Sequence, residues 1–90
     1  MKHTPGPWSA EEYDKLSEFS INAAKRQIAR TNGHNLDVDE HEANAHLIAA
    51  APELYEALQY IQRWLNETGL DVHQSVPQMI NAALAKAEGR

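Results

Sequence analysis

From Trp8 onward the apolar residues recur mostly at intervals of three and four, the spacing that gathers side chains on one side of an α-helix. No Gly or Pro interrupts the chain between Pro7 and Gly33, and Ser9 stands three residues before Glu12 as in a capping box, so the pattern predicts a first helix over residues 10–32. Its apolar side chains, Tyr13, Leu16, Phe19, Ile21, Ala23, Ala24 and Ile28, spread over an unusually broad arc broken by Ser17 and Ser20. One neighbouring helix would not cover that arc, which suits either the centre of a bundle or a helix that gives part of its surface to a subunit or partner.

Residues 33–38 read as a loop, after which Asp37 or Asp39 can cap a second helix over residues 40–50. Ala43, Leu47, Ile48 and Ala51 are its expected inward residues. Pro52 disfavours helical geometry at Ala51 but suits the first turn of a new helix, so a break or kink is expected there and a third helix over residues 52–67. Leu54, Leu58, Ile61 and Leu65 form its stripe, flanked by Tyr60 and Trp64. Gly69 ends that helix, Ser75 with Gln78 restarts the chain, and a fourth helix over residues 76–88 buries Val76, Met79, Ile80, Ala83, Leu84 and Ala87. Pro5, Gly6 and Pro7 hold residues 1–8 as an extended arm, with Trp8 as its anchor. No segment is read as strand. The expected fold is all-α, a single domain over residues 1–90 built as a small bundle of three to four helices with an extended N-terminal arm.

Ninety residues can bury only roughly 60–65% of the surface of the unfolded chain, and the absence of Cys removes disulfides and thiolate metal sites as staples. Self-association is the remaining route to stability, and a homodimer is favoured. The formal charge of −5 argues against direct nucleic-acid binding, which needs clustered Lys and Arg. No apolar run approaches the roughly 20 residues of a membrane span, and the opening residues hold no signal core, so a cytoplasmic protein is expected.

Few residues suggest chemistry. Asp39, Glu42 and His46 share one helical face in a spacing that can converge on a metal, but the two carboxylates already suit the helix N-terminus, and no metal site is assigned. His34, His41 and His73 fall in or near loops and read as solvated. Glu11, Glu12 and Asp14 lie too near the start of the first helix to face Glu40 and Glu42 across a magnesium ion. With no phosphate loop and no activated nucleophile, no catalytic residue and no cofactor are expected, and the chain reads as a non-enzyme. The candidate partner-binding residues are Tyr60, Trp64, Tyr13, Glu11, Asp14 and Glu18. An alternative small-ligand site uses Tyr13 to stack on a base and Lys25, Arg26 and Arg30 to neutralise phosphates. On one helix Tyr13 and Lys25 would stand about 18 Å apart, so that site would need a second subunit.

Two segments, His3-Thr4-Pro5-Gly6-Pro7-Trp8 and Glu42-Ala43-Asn44-Ala45-His46-Leu47-Ile48-Ala49-Ala50-Ala51-Pro52-Glu53-Leu54-Tyr55-Glu56-Ala57-Leu58, resemble small accessory proteins of tailed bacteriophages and prophages. The resemblance covers about a quarter of the chain. It implies a phage origin and brings no catalytic residues. The commoner members place strand-like segments between the two motifs, where this chain is read as the first helix.

The leading expectation is a phage accessory protein that binds and inhibits a host protein, for instance a component of an anti-phage defence such as a CRISPR–Cas complex, whose basic channel an acidic protein can occupy. The second is an oligomeric sponge that sequesters a nucleotide immune signal. The third is a structural or regulatory helical oligomer joined through Tyr60 and Trp64.

Overall fold

The structure, a computed structural model, describes residues 3–14, 18–32 and 37–89, with the side chains of Tyr13 and Asp14 outside the description. Three strands come first: β1 (Trp8–Asp14), β2 (Glu18–Ala23) and β3 (Arg26–Asn32). Three helices follow: α1 (Val38–Ala49), α2 (Ala51–Thr68) and α3 (Ser75–Ala87). The fold is therefore mixed α/β and not all-α, and the helix expected over residues 10–32 is an antiparallel sheet in the order β1-β2-β3.

The physical reason lies in the period of the sequence. Glu18-Phe19-Ser20-Ile21-Asn22-Ala23 alternates polar and apolar, and a period of two places Phe19, Ile21 and Ala23 on one face of a strand. Forced onto a helix, the same residues spread into the broad arc that one neighbouring helix would not cover. On the sheet they need one, and α1 supplies it by packing across β1 and β2. Ile21, wholly buried, sits in register between Ala10 of β1 and Ala29 of β3. The opposite face is polar: the Ser20 hydroxyl donates to Asn22 Oδ1 at 2.6 Å, and Arg30 Nε lies 3.6 Å from Glu18 Oε2.

Ala24 and Lys25 turn β2 into β3, with Ala23 paired to Arg26 and Ala24 in the left-handed region at φ 55°. The register slips once in each ladder, between Glu12 and Asp14 in β1 and at Ile21/Asn22 in the β2–β3 pairing. The second slip leaves Ile28 as the extra residue of a bulge.

On α1 the buried residues are His41, Ala45 and Ala49, spaced four apart on one side of the helix. The two alanines let its backbone approach the sheet closely. Leu47 and Ile48, read from sequence as inward, are exposed, as is Ala43. The break expected near Pro52 occurs at Ala50, which keeps a helical φ of −83° but drops out of the helix, and α2 restarts with Pro52 in its first turn, where no amide is required.

The N-terminal arm is closed on itself. The Trp8 indole N–H donates to the Thr4 carbonyl at 3.0 Å, and the His3 ring meets the Trp8 ring edge-on at 6.2 Å. Trp8 does anchor the arm, as the first residue of β1.

The chain groups into two compact units, one ending at Glu53 and the other beginning at Leu54. The second unit is an antiparallel helical hairpin. Tyr55 Oη donates to Glu88 Oε2 at 2.6 Å and Gln62 Nε2 donates to Asn81 Oδ1 at 2.6 Å, two pairs that fix the same register. Gly69 terminates α2 at φ 63°, its N–H bonded to the Leu65 carbonyl at 3.1 Å. His73 Nδ1 accepts the Ser75 N–H at 3.1 Å and so satisfies an amide at the start of α3.

Candidate functional site

The helical hairpin has two unlike sides. Along α2, Tyr55, Leu58, Gln59, Gln62 and Leu65 are half-buried and form the stripe that α3 covers. A second stripe at the same three-and-four spacing, Leu54, Ala57, Ile61 and Trp64, is exposed along its whole length. On α3 the covered residues are Ile80 and Leu84, while Val76, Met79, Ala83 and Ala87 form an equally exposed stripe. Trp64 is 44% exposed, Ile61 41%, Leu54 49% and Met79 70%.

Geometry places both exposed stripes on one side of the hairpin. On each helix the free stripe precedes the covered one by about 120° in the helical sense, and antiparallel helices carry that offset to the same side. The other side is polar, a shallow cleft of about 350 Å³ lined by Gln59, Gln62, Asn81, Leu84, Ala85 and Glu88. Two helices can bury one stripe each against one another, so a hairpin with two apolar stripes per helix keeps a greasy face in water.

The sheet unit has a different surface. Glu11 and Glu12 on β1, and Asp37, Asp39, Glu40 and Glu42 at and within α1, are all exposed. Glu42 Oε1 lies 3.6 Å from His46 Nε2 one helical turn on, so those two residues pair with each other. Among the described residues no group of three or more His, Asp or Glu is arranged to hold a metal ion.

At one end of the sheet an open groove of about 640 Å³ runs between the arm and the β2–β3 turn, lined by Thr4, Pro5, Gly6, Pro7, Ala23, Ala24, Lys25 and Arg26. Lys25 and Arg26 thus stand together, as the ligand reading required. Arg30, ion-paired with Glu18, lines no part of it. Tyr13 lies in β1 near the β1–β2 connection, at the end of the sheet opposite Lys25 and roughly 20 Å away at the rise of a strand. Tyr13 and Lys25 are as far apart on the sheet as on the helix that was expected.

A family model, that of Salmonella phage P22 protein Y8K6, matches residues 1–90. The chain belongs to that family. No curated protein and no solved structure matches it. Membership of the Y8K6 family makes this a phage protein, the origin that the resemblance of the two sequence segments implied.

Within this Y8K6-family protein the six partner-binding candidates fall in both units. Tyr60, 67% exposed, and Trp64 are on α2, and Glu11, Tyr13, Asp14 and Glu18 are in the sheet. The sequence misplaced His41, read as solvated but only 4% exposed. Its Nε2 and the Thr31 Oγ1 share a hydrogen bond of 2.7 Å, and its ring meets Phe19 edge-on at 5.3 Å. Thr31 Oγ1 also accepts the Phe19 N–H at 3.3 Å, which leaves its own proton for the imidazole. His34 lies outside the described residues, and His73 is exposed at the hairpin loop. Among the described residues no helix is long and apolar enough to cross a membrane.

Proposed function

We propose that this phage protein is a non-enzymatic accessory factor that acts in the host cytoplasm by binding a host protein and inhibiting it, with the basic nucleic-acid channel of a defence complex, such as a CRISPR–Cas effector, as the class of target. The exposed carboxylates of the sheet unit carry this reading. Asp37, Asp39, Glu40 and Glu42 crowd the first turns of α1, and Glu11 and Glu12 are exposed on β1, in a chain of formal charge −5. Such a surface is steered toward basic protein and repelled by nucleic acid itself. The test compares the immobilised protein with its Asp39→Lys/Glu40→Lys/Glu42→Lys variant in host lysate. The parent should retain one host protein at low salt and release it at high salt, the variant should retain none, and the captured protein's own activity should fall on titration with the phage protein. Retention of no host protein by the parent at either salt removes the proposal.

One observation favours a second reading, a sponge for a nucleotide signal. The groove beside Lys25 and Arg26 combines two cations with apolar Pro and Ala walls, a setting for an anionic ligand with a ring. Thermal shift with a panel of cyclic nucleotides decides it. Saturating ligand should raise the melting temperature by several degrees, and an unchanged transition across the panel disposes of the sponge.

A further inference from the structure

The apolar side of the α2–α3 hairpin bears on assembly, independently of the host-protein reading. We infer that this side is the interface of a homodimer in which a second copy of the hairpin stacks on it, related by a two-fold axis along the helices, to form an antiparallel four-helix bundle.

Three features select a second copy as the occupant. The first is shape. A rotation about an axis along the helices leaves every level unchanged, so α2 lies over the partner's α3 in the register already set by the Tyr55–Glu88 and Gln62–Asn81 pairs. That register puts Trp64 level with the partner's Met79, Ile61 within one residue's rise of the partner's Ala83, and Leu54 about two residues' rise, roughly 3 Å, beyond the partner's Ala87. Large side chains meet small ones in two layers, and an indole meets a thioether in the third, the alternation that interdigitates a helical interface.

The second feature is charge. The outer rim of the α2 stripe is net acidic, with Glu53, Glu56 and Glu67 beside the single cation Arg63, whereas the outer rim of the α3 stripe carries Lys86. The same rotation sets each α2 rim against the partner's α3 rim, so Lys86 comes level with Ala57, within a residue's rise of Glu56. Both copies gain the contact, as a two-fold interface demands. All neighbouring helices in the resulting bundle run antiparallel, which also aligns their dipoles favourably.

The third feature is area. The exposed stripes make a face about 20 Å long, the length of α3, and two helices wide at 8–10 Å between axes. Stacking two such faces removes on the order of 1,200 Å² from water in total, which reaches the range of stable protein interfaces. The hairpin on its own buries only Ile80 and Leu84 along α3, a small core for 37 residues of the unit Leu54–Arg90. The dimer doubles the number of apolar layers.

Sedimentation and light scattering on the full chain test the inference. The parent should show a mass of about 20 kDa, twice its 10.1 kDa, at micromolar concentration. Ile61→Glu should shift it to the monomer mass, with dissociation strengthened at least about a hundredfold, while the circular dichroism spectrum stays that of the parent because residue 61 is exposed in the single chain. Lys86→Glu should weaken the dimer, and Glu56→Lys added to it should restore much of the affinity. A parent that sediments as a monomer at all concentrations overturns the inference and leaves the face to another partner. A dimer that Ile61→Glu leaves intact overturns it equally, whatever surface then holds the copies together.

Discussion

Gly6 rests against the ring of Pro52 so closely that a Cβ built on Gly6 would stand 2.9 Å from the proline Cβ and 3.3 Å from its Cγ. The two residues are 46 positions apart in sequence, yet they join the N-terminal arm to the first turn of α2 within one compact unit. Pro52 is buried by the contact and the helix starts beneath it. The sequence segment around each residue, the Pro-Gly-Pro-Trp arm and the Ala-rich stretch ending in Pro, therefore serves a shared packing contact.

Gly6→Ala should be costly for that reason. A rigid proline ring cannot swing aside, so the added methyl must displace the arm, at about 1–3 kcal/mol of overpacking strain. Thermal unfolding of the variant should show a transition several degrees below that of the parent. Replacing Pro52 by Gly removes the opposing carbons, so Gly6→Ala should cost much less in a Pro52→Gly background. An equal cost in both backgrounds would place the effect in the arm's own backbone and not in the contact.

The helical hairpin was legible in the sequence because α2 and α3 each sustain a three-and-four period for a dozen residues or more, bounded by Pro52, Gly69 and Pro77. Their observed limits lie within a residue of the expected 52–67 and 76–88. Their unoccupied side was not legible, since periodicity tells that a stripe is apolar but not whether anything covers it. The sheet failed for a local reason. Ala24 and Lys25 make its β2–β3 turn without the Gly or Asn that such turns favour, so no punctuation marked the end of a strand. The alternation from Glu18 to Ala23 was present all along, and the over-wide helical arc was its symptom. Starting the helix at residue 40 put His41 at its very end beside a loop, where it read as solvated, whereas α1 begins at Val38 and turns that imidazole inward.

Buried His41 and half-buried Thr31 form the polar pair that ties α1 to β3. Thr31→Val keeps the shape of the side chain but removes the hydroxyl that serves both the imidazole and the Phe19 amide. A buried polar group left without its partner costs about 1–3 kcal/mol, so the variant should melt several degrees lower. Thr31→Ser, which retains the hydroxyl, should fall much less. Equal melting of the Val variant and the parent would mean that water replaces the lost partner.

Ala24 pays a conformational cost that glycine would avoid. At φ 55° its Cβ crowds the backbone, a strain of about 1–2 kcal/mol for an L-residue, and a glycine there gives back part of the gain through its greater freedom in the unfolded chain. Ala24→Gly should therefore stabilise the protein by about 0.5–1 kcal/mol, and Ala24→Val, whose branched side chain suits this region least, should destabilise it. Both residues of the turn are exposed, so neither change disturbs the packing between sheet and helix. Denaturant unfolding with a common m-value for all three proteins measures the differences. The order Gly above Ala above Val confirms that the turn conformation sets the stability of the hairpin, and a Gly variant weaker than the parent would show that Ala24 does not hold a left-handed conformation in solution.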